Sequence, residues 1–226
     1  MRAVGVVSGV GSKLERMARQ RMTRTQRRDQ LLAIGRAAFA ERGFDGISME
    51  EIALRADVSK PVVYEHFGSK TGLYDAVVSQ EMTRFERTIV EVIQNGRWRE
   101  RIDNGVLALL TYIDEETDGF IILVHGRILG RERTYSTVLN RVTAEVSYLL
   151  ERAFEHRGLD ASVAALYGQA LVGTVSNTAL WWLDQRGVDT RLDKATVAAH
   201  ISNLCWNGLS GLEAQPRIMT NEVEEQ

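Results

Sequence analysis

The chain has 226 residues, 44% of them hydrophobic, and a formal net charge of -2 at pH 7, which is long and apolar enough for one large folded unit or for a small one joined to a larger one, each with its own core. A single cysteine, Cys205, excludes an intrachain disulfide framework, and the four histidines (His66, His125, His156, His200) stand too far apart in sequence for a local metal-ligand pair, so no metal and no cofactor is expected. No apolar run approaches the roughly 20 residues that a membrane span needs; the longest candidate, residues 119–124, breaks at His125 and Arg127, and a reducing cytoplasm fits this composition.

Charge is distributed unevenly. Residues 1–28 carry eight basic side chains (Arg2, Lys13, Arg16, Arg19, Arg21, Arg24, Arg27 and Arg28) against Glu15 alone, a local excess of +7. Such an arm is either phosphate-seeking or solubilising. Residues 3–10 are mildly apolar, but they contain Gly and Ser, lead straight into Lys13 and Arg16, and lack a small-x-small cleavage site, so no signal peptide is expected. GVVSGVGSK at 5–13 imitates a phosphate loop, yet its lysine does not follow the second glycine directly and no strand precedes it. Residues 1–22 are therefore expected to be a disordered basic arm, and 214–226 a disordered tail that is acidic overall.

Between these ends apolar residues recur at three- and four-residue spacing, with only Pro61 and Pro216 to interrupt, and nothing alternates like a strand. Leu31, Leu32, Ile34, Ala38 and Phe39 form a stripe on a helix from about Thr25 to Arg42, closed by Gly43. Ser48 followed by Glu51 predicts a capping box opening a short helix over 49–56. Asp57-Val58 makes a tight connection, and Ser59 is expected to cap a second short helix, 60–67, with Pro61 in its first turn. Ser69 caps a longer helix through Leu73, Val77, Phe85, Ile89 and Ile93 that ends near Asn95-Gly96. Five more helices follow, at about Arg99–Tyr112, Gly119–Gly130, Thr134–Arg157, Asp160–Arg186 and Asp193–Leu212. The fold class is all-α, with about nine helices: a helix-turn-helix unit over 23–70 and a helical unit over 71–213.

Two short capped helices around a tight turn are what a helix-turn-helix requires, the first bracing on the DNA backbone and the second entering the major groove. The stretch from Gly43 to Tyr74, GFDGISMEEIALRADVSKPVVYEHFGSKTGLY, resembles the TetR/AcrR family of bacterial regulators, jointly at Gly43-Phe44, Ser48, Ile52-Ala53, Ala56 to Ser59, Tyr64, His66, Phe67, Lys70 and Leu73. Beyond it the likeness is one of length and order of helices. On the helix at 60–67, Lys60 can reach a phosphate or a guanine edge, and Pro61 and Val62 offer apolar contact to a thymine methyl. The resemblance places Tyr64 and His66 against phosphates. Lys70 adds a charge beside a helix N-terminus, and Thr25, Arg28, Ser48 and Met49 are further phosphate-contact candidates. Two departures stand out: Glu65 puts a carboxylate on the helix meant for DNA, and Gly72 stands where the family often has an acidic residue.

The resemblance further implies a small-molecule pocket after residue 97 and a homodimer formed by the last two long helices, whose small residues (Ala164, Ala165, Gly168, Ala170, Gly173, Ala195, Ala198, Ala199, Gly208, Gly211) permit close packing of two such pairs. Aromatic and polar groups on apolar helices, Tyr112, Phe120, Leu123, His125, Tyr148, Asn177 and Trp181, are the candidate ligand-binding residues. Trp181 and Trp182, being neighbours on a helix, cannot both face inward. Few charges among these candidates suggest a hydrophobic effector, such as a fatty acyl chain, a lipid or an aromatic drug. The chain lacks a nucleophile elbow, a metal-binding His pair, a phosphate loop and a Cys-His pairing for Cys205, so no enzyme and no catalytic residue is expected. The partners implied are a near-palindromic double-stranded operator, a second copy of the chain and the effector, with no membrane. The family is mostly repressing, which leaves activator as the minority reading and a helical scaffold without DNA binding as a remote one.

Overall fold

The computed structural model describes residues 22–125, 135–189 and 191–217. Every long element among them is an α-helix: α1 (Arg24–Arg42), α2 (Met49–Arg55), α3 (Lys60–Phe67), α4 (Lys70–Gln94), α5 (Trp98–Glu115), α6 (Thr117–His125), α7 (Tyr135–Arg157), α8 (Ala164–Asp184) and α9 (Lys194–Ser210), with one 3₁₀ turn, Ala161–Val163, before α8. The expected arm at 1–22 lies outside the described residues except for Met22, the expected tail at 214–226 does so beyond residue 217, and the stretch 126–130 assigned to the sixth helix does so entirely.

Helix ends follow their caps, and at several that differ from expectation a hydrogen bond explains the shift. α1 begins one residue early for a reciprocal pair: Thr23 Oγ1 accepts from the Gln26 amide (3.2 Å) and Gln26 Oε1 from the Thr23 amide (2.9 Å). α5 starts at Trp98 because Glu100 Oε2 accepts from the Arg97 amide at 2.8 Å. It also runs past Tyr112, since the Arg186 guanidinium donates to the last-turn carbonyls of Ile113 (2.8 Å) and Asp114 (3.3 Å), which would otherwise lack partners. The expected helix from Asp160 divides into the 3₁₀ turn, which Asp160 caps at Ser162 (2.9 Å), and α8 proper.

One buried cluster gathers α1 to α3 with the first turns of α4: Leu31, Phe39, Ile47, Ile52, Ala53 and Val63 pack with Leu73, Tyr74, Val77 and Val78. The head's core thus reaches past residue 70, into a helix that continues as a wall of the second cluster. That cluster joins Phe85, Ile89 and Ile93 of α4 to Leu109, Leu110 and Ile113 of α5, Phe120 and Leu123 of α6, Val138 and Val142 of α7, Trp182 of α8 and Cys205 of α9. Ile122 of α6 reaches back into the head's cluster.

The last two long helices do not pack chiefly on each other within the protomer. α8 lies along α7 and α9 along α5. Gly168 serves the first of these contacts: a Cβ there would collide with Ser147 Oγ and lie 3.2 Å from Ser147 Cα. Gly173 and Gly208 face open space.

Candidate functional site

The two short helices of the head meet over a turn fixed by backbone bonds. The Ala56 amide donates to Ile52 O (3.0 Å) and the Val58 amide to Ala53 O (3.0 Å). Asp57 takes the left-handed conformation (φ 52), one that short polar side chains tolerate. Ile52, Ala53, Ala56 and Val63 are buried, so the close crossing rests on small and branched apolar residues. The capping box expected at Ser48 is only half formed: Ser48 Oγ accepts from the Glu51 amide (3.1 Å), but the Glu51 carboxylate turns to Arg42 (3.2 Å) and Arg55 (2.8 Å). Ser59 makes no side-chain cap, contrary to expectation; Pro61 holds the first turn of α3, and the Val62 amide donates to Ser59 O at 3.0 Å.

With Val63 turned into the core, α3 presents Lys60, Pro61, Tyr64 and Glu65 outward, Tyr64 at 39% exposure, with Val62 and His66 half-buried at the edges. Lys60 is not a free charge. Its ammonium pairs with the carboxylate of Glu50 on α2 and lies 5.6 Å from the Tyr64 ring centroid. That hydrogen bond and the opposite charges raise the Lys60 ammonium above its ordinary value and lower the Glu50 carboxyl below its own. Glu50 went unnoticed in sequence because its partner stands ten positions away. Arg28 lies against the end of α3, donating to His66 O (3.0 Å) with its guanidinium 4.6 Å from the Phe67 ring, while Thr25 is exposed nearby in sequence. Ser48, Met49, Tyr64 and Lys70 line one shallow polar recess with Asp45 and Glu50. The Met49 side chain, however, is buried in the core, which leaves only its backbone amide at the helix start for any phosphate.

In the second half a cavity of about 120 Å³ opens between five helices. Phe85, Ile89 and Ile93 line it from α4, Trp98 to Leu109 from α5, Leu139 to Leu150 from α7, Leu171 to Ser176 from α8, and Cys205 and Leu209 from α9. The wall is aliphatic almost throughout. Ser176 spends its hydroxyl on Val172 O (2.7 Å), and burial raises the Cys205 thiol above its ordinary value, leaving it protonated. Of the seven expected ligand-binding residues, six lie elsewhere. Tyr112, Phe120 and Leu123 are core, Tyr112 meeting Phe85 edge-on at 5.0 Å. Tyr148, Asn177 and Trp181 point outward; of the tryptophan pair it is Trp182 that is buried (2% exposed, against 49% for Trp181), donating from its ring nitrogen to Leu192 O at 2.8 Å. The His125 side chain lies outside the described residues.

A polar joint connects this half to the head. Glu81 of α4, 1% exposed, accepts from the Tyr112 hydroxyl (2.9 Å) and stands 3.1 Å from Arg36 Nε of α1. The Arg36 Nε contact lacks hydrogen-bond direction and so acts by charge alone. Arg36 Nη2 also meets Glu116 Oε2 (2.5 Å), which Arg84 shares at 2.9 Å. Burial first, and the Glu81 charge second, push the Tyr112 phenol far above its ordinary value, so it remains a donor. The joint is close-packed: a Cβ at Gly119 would collide with Glu81 Oε2 and lie 2.9 Å from Arg36 Nη2. Across it α1, α4, α5 and the start of α6 are tied together by groups far apart in sequence.

Among the described residues no helix is long and apolar enough to cross a membrane, and no group of three or more His, Cys, Asp or Glu could hold a metal ion. Comparison with known proteins agrees with the architecture. Residues 31–77 match the family of bacterial regulatory proteins of the tetR type, and residues 98–208 the tetracyclin repressor-like C-terminal domain. The transcriptional activator FasR of Mycolicibacterium smegmatis is 28% identical over 191 residues, covering 84% of this chain and 86% of FasR. The transcriptional repressor NemR of Escherichia coli K12 is 30% identical over 148 residues, 64% of this chain and 66% of NemR. The crystal structure of AibR, solved with isovaleryl coenzyme A and operator DNA, shares the fold with a TM-score of 0.62 at 22% identity, covering 79% of this chain and 97% of AibR. The chain belongs to the TetR family of DNA-binding transcriptional regulators.

Proposed function

We propose that the protein represses transcription from a near-palindromic operator and is released from it by an apolar molecule held in the cavity between α4, α5, α7, α8 and α9. The observation that carries this reading is that α4 belongs to both halves: its first turns complete the core of the head, and its later turns, Phe85 to Ile93, line the cavity. A molecule that fits only one arrangement of the cavity wall then favours one setting of the head; one that fits both equally changes nothing. α3 carries the DNA-reading surface, with Lys60, Pro61, Val62, Tyr64 and His66 at the groove and Thr25, Arg28, Ser48, the Met49 amide and Lys70 toward phosphates.

Dimerisation through α8 and α9 is supported by an outward face bearing Leu166, Trp181 and Leu204, all exposed, beside the open Gly173 and Gly208. A two-fold axis there sets two α3 helices about 34–36 Å apart, one turn of DNA. The protein works in the cytoplasm, beside its DNA, and acts by binding rather than catalysis. Activation is the second reading, favoured by the FasR match, which spans more of the chain than the NemR match does.

Fluorescence anisotropy on DNA from upstream of the protein's own gene, titrated with salt for wild type and Tyr64→Ala, tests the DNA-binding half. Tight, salt-sensitive binding that the variant loses supports the assignment; weak binding equal for both proteins and for random DNA overturns it. Transcription in vitro from the bound promoter distinguishes repression from activation.

A further inference from the structure

The cavity is polarised along its length. Its lining runs along antiparallel α4 and α5, from Phe85 and Leu109 at the end near the head to Ile93, Trp98 and Arg101 at the far end. Eight residues of helix separate Phe85 from Ile93, a span of about 12 Å. The near end lacks such a cation among its described lining residues: Phe85 follows one turn after the buried carboxylate of Glu81, which accepts from the Tyr112 hydroxyl and faces Arg36. Among the described residues, the far end holds the one charged side chain of the lining, Arg101. Arg101 donates from Nε to Gly96 O (2.8 Å) and lies 5.2 Å from the Trp98 ring centroid, contacts that anchor the guanidinium at this end. Among the described residues no carboxylate lies within ion-pair distance of it, whereas its neighbour Arg99 is matched to Asp103 at 3.2 Å.

A guanidinium held by its Nε, on a residue that lines an aliphatic channel, is complementary through its terminal nitrogens to a bidentate oxyanion carrying an apolar tail. We propose that the cavity selects a single-chain anionic amphiphile, with its head on the terminal nitrogens of Arg101 and its tail extended toward Phe85. This rests on the cavity being the effector site and adds the chemical class of the occupant. The anion has two sources, a free carboxylate or the phosphates of an acyl coenzyme A thioester with only the acyl chain inside.

Isothermal titration calorimetry of the full chain with laurate, lauroyl coenzyme A and dodecanol tests this, for wild type, Arg101→Gln and Arg101→Lys. The expected result is that wild type prefers the anionic ligand over dodecanol by about ten-fold, the worth of one charge-assisted hydrogen-bonded contact, that Arg101→Gln loses the preference while still binding dodecanol, and that Arg101→Lys keeps part of it. Which of laurate and lauroyl coenzyme A shows the Arg101-dependent preference identifies the source of the anion. Equal affinity of wild type for laurate, lauroyl coenzyme A and dodecanol, or a preference that survives in Arg101→Gln, overturns the head-group assignment and leaves the cavity as an unselective apolar site. No binding of any of the three overturns the assignment together with the cavity reading beneath it.

Discussion

Replacing Arg36 by Met separates charge from packing at the joint between head and sensor half. Methionine keeps most of the apolar stem that arginine lays along the interface, so the principal loss is the guanidinium. Glu81, 1% exposed, then retains the Tyr112 hydroxyl at 2.9 Å as its remaining named donor. An uncompensated buried carboxylate costs about 3–5 kcal/mol, a large fraction of the 5–15 kcal/mol that holds a typical domain together. The opposite change is milder. In Glu81→Gln, Arg36 keeps Glu116 at 2.5 Å and the Tyr112 hydroxyl can still donate to the new amide oxygen, so a loss of about 1 kcal/mol is expected. The double variant Arg36→Met/Glu81→Leu, which removes both charges, should be less destabilised than Arg36→Met alone. Urea unfolding at neutral pH and fixed protein concentration measures these three and the single variant Glu81→Leu that closes the cycle. An Arg36→Met cost below about 1 kcal/mol, or strict additivity in the double variant, would refute the view that the joint is a charge pair desolvated between α1 and α4.

Three further outcomes follow from the geometry. Glu50→Gln should free Lys60 from its pairing across the helix-turn-helix, strengthening binding to random DNA and steepening the logarithmic salt dependence by about one phosphate contact, as read by anisotropy at several salt concentrations. Val175→Phe adds a ring to the cavity wall; laurate that shifts operator affinity in wild type should fail to do so in the variant, and an undiminished shift would place the effector elsewhere. Asp193 accepts from the hydroxyl of Thr196 (2.6 Å) and its amide (3.0 Å) at the start of α9, bonds that hold its carboxyl below the usual carboxylate range. Because the folded value is the lower one, this cap stabilises at neutral pH and is lost as pH falls through that value. Asp193→Ala should therefore melt below wild type at pH 7, with the gap closing in acid below the carboxylate range.

Much of the head was legible because its determinants lie within a few residues of one another. The cap at Ser48, the stop at Gly43, the turn at Asp57 and the N-terminal proline of α3 each act through bonds spanning no more than about one helical turn, and the structure keeps each element in its place even where Ser59 and Glu51 make different bonds. The outward face of α3 is set by the burial of one residue, Val63, which the sequence alone did not single out. The pairing of Lys60 with Glu50 did not follow, because it joins two helices that only the turn brings together.

In the second half local sequence specified helices, their order and a surplus of apolar side chains. It did not determine which of those side chains are core and which are cavity, since leucine, isoleucine and valine serve both and differ only in whether the opposite helix closes the gap. A search for aromatic and polar groups led to Tyr112 and Phe120, which the packing of α4 against α5 and α6 buries, and to Trp181, which the rotation of α8 turns outward while Trp182 goes in. Helix spacing makes these decisions, through contacts such as Gly168 against Ser147 and the meeting of Arg36 with Glu81 across 45 positions of chain. Such contacts exist only once the chain has folded, so helical period and capping, which are local, specify the elements, and the cavity with Arg101 at its far end and the joint that ties it to the head belong to the tertiary structure.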